Sequence, residues 1–66
     1  MIININGTSH DLAEGSTIAQ ALVTLNLEIN DFVIALNQTF IPRSQYLQTQ
    51  LQNNDAIELL SPMAGG

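Results

Sequence analysis

One amphipathic helix signal dominates the sequence and constrains the fold around it. Residues 17–20, Thr-Ile-Ala-Gln, fit a capping box, in which the threonine hydroxyl accepts a bond from an orphan backbone N–H and the glutamine reaches back. Apolar side chains follow at i, i+3, i+4 and i+7, namely Ile18, Ala21, Leu22 and Leu25. Asn26 is a plausible left-handed stop, after which Leu27 could fold back on Leu22. A helix this short is marginal in water, so it must lie on a sheet.

Strand segments flank this helix on both sides. Asn6-Gly7 and Asn37-Gln38 predict tight hairpin turns, and residues 53–55 predict another turn. The predicted strands are residues 1–5, 8–12, 32–36, 39–41 and 56–60, and residues 32–36 are expected to be buried on much of both faces. This order predicts an α+β fold of the β-grasp type, a mixed sheet packed on one main helix, with the first and last strands side by side at its centre.

The composition limits what such a domain can bind. The 66 residues contain no cysteine and a single histidine, so we expect one small apolar core, one domain, and no metal site. Six carboxylates and the single cation Arg43 give a net charge of −5, which disfavours nucleic acid and anionic membrane surfaces. The charge suits a basic protein partner, although it could serve solubility alone. The N-terminus lacks a secretory pattern, which predicts a cytoplasmic protein.

The last predicted strand suggests a docking face. In residues 56–60, Ile57 and Leu59 point one way, while Glu58 and Leu60 point the other. An exposed Leu60 beside the end of the chain favours a partner-docking role, with Glu58 next to it and Ala35 on the same face by strand parity. Arg43 is expected to pair with carboxylates of this chain, and His10 and Tyr46 to be an ordinary strand residue and a packing residue.

The sequence closes on Ala64, Gly65 and Gly66, so we divide it into a domain, residues 1–60, and a flexible tail, residues 61–66. Glycines lack the Cβ that would block entry into a narrow channel, which favours a tail that threads into a partner over a frayed end. When extended, six residues reach at most about 20 Å.

Three stretches carry a family resemblance: "MIININGTSHDLAEGSTIAQAL", "VIALNQTFIPRSQY" and "NNDAIELLSPMAGG". Together they resemble the ubiquitin-like sulfur carriers of thiamine biosynthesis over the whole chain. The resemblance implies that an adenylating enzyme, using ATP and magnesium, joins the Gly66 carboxylate to AMP. A sulfur-donor protein then converts it to a thiocarboxylate, and thiazole synthase takes the sulfur. Gly65 and Ala64 would thread into the partner, and this chain would bind no cofactor.

The chain is expected to be a substrate and not an enzyme, because it has no cysteine and no serine paired with a base. Three alternatives stay open. The small subunit of molybdopterin synthase has the same fold and the same Gly-Gly end, although it is usually somewhat longer. A purely non-covalent interaction module would make the tail dispensable. A ubiquitin-type protein tag is the third.

Overall fold

The computed structural model describes residues 1–28 and 32–61. The elements, in chain order, are β1 (Ile2–Ile5), β2 (Thr8–Asp11), α1 (Ile18–Thr24), β3 (Val33–Leu36), β4 (Thr39–Ile41), a 3-10 turn (Arg43–Gln45) and β5 (Ala56–Leu60). This order confirms the predicted α+β, β-grasp fold. The division between residues 1–60 and the tail remains a prediction, because residues 62–66 lie outside the described residues.

The strands form one mixed sheet of five in the order β2-β1-β5-β3-β4. β1 and β5 are parallel, and every other neighbouring pair is antiparallel. The first and last strands therefore lie side by side, as predicted, and β5 is the middle strand. The chain consequently leaves the sheet from its centre, at Leu60.

Both predicted hairpin turns are present. Asn6 and Gly7 have φ values of 50° and 86°, and Asn37 and Gln38 have values of 49° and 71°. Two successive residues at positive φ are the pattern of a type I′ turn, whose twist matches that of the strands it joins. Each turn therefore fixes the register of its hairpin.

The helix begins and ends as the sequence predicts. The Thr17 hydroxyl accepts from the Gln20 N–H at 3.2 Å, and the Gln20 side chain accepts from the Thr17 N–H at 2.9 Å, which completes the capping box. At the other end Asn26 has a φ of 58°. The Leu27 N–H donates to the Leu22 carbonyl at 2.8 Å, and the Asn26 N–H to that of Val23 at 3.1 Å. These two bonds form a Schellman motif.

The core lies between α1 and one face of the sheet. Three side chains have no exposed surface, one each from β1, α1 and β3: Ile3, Ile18 and Ile34. Tyr46 is 2% exposed, which confirms its packing role. Residues 32–36 differ from the prediction, since β3 begins at Val33 and only Ile34 is buried while its neighbours are half-buried. The reason is that α1 covers only one face of β3.

Within residues 1–28 and 32–61, no helix has the length and apolarity needed to cross a bilayer.

Strand parity in β5 can be tested by placing the same charge on each of its two faces. Leu60→Arg should change the free energy of unfolding by no more than about 0.5 kcal/mol, because the Leu60 side chain is 53% exposed. Ile57→Arg should prevent folding, because Ile57 is 3% exposed and an unpaired charge there has no water or partner. Urea unfolding measures both; a folded Ile57→Arg chain with an unfolded Leu60→Arg chain would invert the assignment.

Candidate docking face and tail exit

The predicted site residues divide into two groups. Ala64, Gly65 and Gly66, the predicted tail-threading and sulfur-carrying residues, lie outside the described residues. Ala35, Glu58 and Leu60, the predicted docking residues, lie on β3 and β5 in the middle of the sheet. The docking face can therefore be described from its side chains, and the exit of the tail from the residues up to Ser61.

The strand register places the three docking residues on one face. Ala35 lies opposite Glu58, and Val33 lies opposite Leu60, across the antiparallel β3–β5 pair. Side chains opposite each other in such a pair share a face, and the face alternates along each strand. Glu58 and Leu60 are exposed and Ala35 is half-buried, whereas Ile34 and Ile57 point into the core. The predicted docking residues therefore lie together on the sheet face that α1 leaves uncovered.

The structure adds two residues that sequence reasoning missed. Phe40 on β4 lies opposite Ala35 and is 60% exposed, and Val33 lies opposite Leu60 and is half-buried. The signal for Phe40 was available, because a two-residue turn at Asn37-Gln38 pairs Ala35 with Phe40 by counting outward. We call Val33, Ala35, Phe40 and Leu60 the apolar sheet patch. Because Phe40 and Leu60 expose apolar surface on this face, the patch is a candidate interaction site.

Three charged or titratable residues singled out in the sequence lie at different places in the fold. Glu58 is exposed on the same face as the apolar sheet patch. Arg43 makes no ion pair with any carboxylate of the described residues, so the expected pairing is not found in that part of the chain. His10 lies on β2 opposite Ile3 and is half-buried, as expected for a strand residue. Residues 1–28 and 32–61 hold no cluster of acidic, histidine or cysteine side chains that could bind a metal.

A second exposed apolar surface lies on the opposite side of the molecule. An open groove of about 530 Å³ runs between α1 and the segment after β4, and its apolar lining includes Ala19, Val23 and Leu47. Val23 and Leu47 are 76% and 77% exposed. Because α1 lies between this groove and the sheet, the groove and the apolar sheet patch face away from each other. Only the patch adjoins the strand from which the tail leaves.

Comparisons with known proteins agree with this architecture. A family model described as "ThiS family" matches residues 3–66. The sulfur carrier protein ThiS of Escherichia coli strain K12 is 33% identical over 66 residues, which are the whole of both chains. The crystal structure of a thiamine biosynthesis protein (ThiS) from Geobacter metallireducens superposes with a TM-score of 0.88 at 26% identity, covering all of both chains.

The solution structure of a thiamine biosynthesis protein from Geobacter metallireducens matches with a TM-score of 0.77 at 28% identity, covering 100% of this chain and 88% of that one. The family match thus extends over β1, α1 and β5 and continues through both terminal glycines. With its mixed five-stranded sheet and single described helix, the chain belongs to the ThiS family, the family of the sulfur carrier protein of thiamine biosynthesis.

Proposed function

We propose that this chain carries sulfur for thiamine synthesis as a thiocarboxylate on Gly66, after a separate enzyme has adenylated the Gly66 carboxylate. The observation that carries the proposal is the family match through residue 66, which includes the Gly-Gly end. The relative from Escherichia coli, which bears the name of a sulfur carrier, matches over its whole length. The family match favours this function over the small subunit of molybdopterin synthase.

The chemistry explains why a partner must act first. A carboxylate is a poor electrophile, so its oxygen attacks the α-phosphorus of ATP, pyrophosphate leaves, and Gly66 becomes an acyl adenylate. The terminal sulfur of a protein persulfide then attacks the carbonyl carbon, and AMP leaves. A thiol then attacks the donor's cysteine sulfur and forms a disulfide with it, and the thiocarboxylate leaves on Gly66. Thiazole synthase is the proposed acceptor of this sulfur, and magnesium and ATP belong to the activating enzyme.

This chain supplies the reacting carboxylate and the surface that presents it. It contains no cysteine, and its docking face consists of apolar side chains and Glu58. We assign the apolar sheet patch to the activating enzyme because Leu60 is both a patch residue and the last residue of β5. From there residues 61–66 extend at most about 20 Å, which sets the distance from the docked patch to the reacting phosphate.

The net charge of −5 favours a partner with a basic surface around its channel. Attraction between the opposite charges would raise the rate at which the two proteins associate. The same charge disfavours nucleic acid and anionic membranes as partners. We place the reaction in the cytoplasm, where ATP for the activating enzyme is available.

The proposed function requires the Gly66 carboxylate to arrive unblocked and in position. Adding one alanine after Gly66 moves the carboxylate by about 3.5 Å, as much as the roughly 3 to 3.5 Å that separates reacting atoms in an attack geometry. Adenylation should therefore fail, while the melting temperature stays at the wild-type value. Pyrophosphate release with the cognate activating enzyme measures the effect. Normal rates from the extended chain would contradict the proposal.

Gly65→Val tests the width of the proposed channel in the same assay. The branched side chain restricts the backbone and fills space next to the reacting residue, so adenylation should fall severely. Met63→Val is the matched control, because it places the same side chain where the chain already carries one, and it should remain active. Equal activity of the two variants would mean that the tail does not enter a narrow channel.

The docking assignment can be tested by placing arginine on either side of the molecule. Leu60→Arg should raise the KM of the activating enzyme for this chain about tenfold or more, since it puts a charge into an apolar contact. Leu47→Arg makes the same change at a leucine that is 77% exposed on the opposite side, and it should leave KM unchanged. A raised KM for Leu47→Arg with a normal KM for Leu60→Arg would move the docking face to the groove.

A further inference from the structure

We propose that Asn6 is a positioning residue for the tail, and that its side chain fixes the direction in which β5 delivers residues 61–66 to the activating enzyme. The inference rests on the proposed function, because it concerns the presentation of the Gly66 carboxylate. It is carried by two hydrogen bonds between Asn6 and Leu59, residues that lie 53 positions apart in the sequence.

The contact occurs where β1 ends and β5 continues. Two backbone hydrogen bonds reach the β5 side of the contact from the β1 side. The Asn4 N–H donates to the Asp55 carbonyl at 2.9 Å, and the Asn6 N–H donates to the Ile57 carbonyl at 3.0 Å. Beyond them the chain turns at Asn6, and β5 has no further backbone partner from β1. The Asn6 Oδ1 accepts from the Leu59 N–H at 2.8 Å, and its Nδ2 donates to the Leu59 carbonyl at 3.3 Å. The side-chain amide thus acts as one more peptide group of β1.

Few residue types can fill this position. The turn requires positive φ at residue 6, which is 50° here, and this conformation favours glycine, asparagine and aspartate. The two bonds to Leu59 require one donor and one acceptor on a short side chain. Aspartate offers only acceptors when ionised, and glycine offers neither. Asparagine is the one of these three residues that meets both demands.

These bonds hold the residues from which the tail leaves the sheet. Leu59 is held by Asn6 on one edge of β5, and the next residue, Leu60, is in register with Val33 on the other edge. Both residues immediately before Ser61 are therefore fixed relative to the apolar sheet patch. When the patch is docked and the partner's channel holds the tail extended, at most about 20 Å long, a rotation of about 10° at its root would displace its end by roughly 3.5 Å. A displacement of that size is enough to misplace a reacting carboxylate.

The opposite end of β5 provides a matched control. Asn37 also lies in a hairpin turn at positive φ, and its Oδ1 accepts from the Ala56 N–H at 2.9 Å. The backbone N–H of Asn37 donates to the Ala56 carbonyl at 2.7 Å. Asn37→Gly therefore makes the same substitution, in the same kind of turn, against the same strand, but at the end away from the tail.

The experiment compares Asn6→Gly, Asn6→Asp and Asn37→Gly in steady-state adenylation and in amide hydrogen exchange. Glycine keeps the backbone conformation and removes both side-chain bonds, so in Asn6→Gly the Leu59 amide should exchange about tenfold faster. The kcat for adenylation should fall about tenfold, with KM close to the wild-type value because the patch is unchanged. Asn6→Asp, which loses the donor, should also lower kcat. Asn37→Gly should lose a similar amount of stability and keep its kcat.

The outcomes separate this inference from the function on which it rests. A wild-type kcat in Asn6→Gly, with faster exchange at Leu59, would overturn the positioning role while leaving the proposed function intact. An equal fall in kcat for Asn37→Gly would also overturn it, because the effect would then follow stability and not the position of the tail. Failure of the wild-type chain to be adenylated would refute the proposed function, whatever the exchange at Leu59 shows.

Discussion

The parallel pairing of β1 with β5 is the constraint on which the rest of the structure depends. Two parallel neighbours cannot be joined by a tight turn, so the chain between them must cross the sheet and return. α1 lies on that crossing path and packs Ile18, Ala21 and Leu22 against the isoleucines of β1 and β5. Among the described residues α1 packs on one sheet face, and Phe40, Glu58 and Leu60 are exposed on the other. β5 therefore contributes residues to the open face and is also the strand from which the tail leaves.

This arrangement separates two requirements of a small carrier. Stability comes from the covered face, where the fully buried side chains are isoleucines and no polar side chain of the described residues is buried. The proposed recognition belongs to the open face, where Phe40 and Leu60 are mostly exposed without removing any side chain from the core. The proposed chemistry lies beyond both, on residues with no side chain to pack. A change on one surface can therefore leave the other unaffected.

The local features of the fold could be predicted from the sequence because their causes are local. Each of these features depends on a few neighbouring residues, and all of them are present: the left-handed asparagines at positions 6, 26 and 37, the Thr17 capping box and the alternation of faces along β5. Features that depend on distant pairing were missed. The local register of β3 with β4 placed Phe40 within reach of sequence reasoning, but the bonds of Asn6 to Leu59 span 53 positions, which no short window contains. The pairing expected of Arg43 was also a distant contact, and no described carboxylate provides it.

The central claim is that Gly66 carries sulfur, and intact-mass analysis of the chain isolated from thiamine-starved cells tests it most directly. The account predicts a second species, heavier by the replacement of one oxygen with sulfur, with fragmentation placing the change on Gly66. The heavier species should disappear in cells that lack the activating enzyme. If cells that are synthesising thiamine contain only the unmodified chain, or carry the added sulfur elsewhere in the sequence, the account is contradicted.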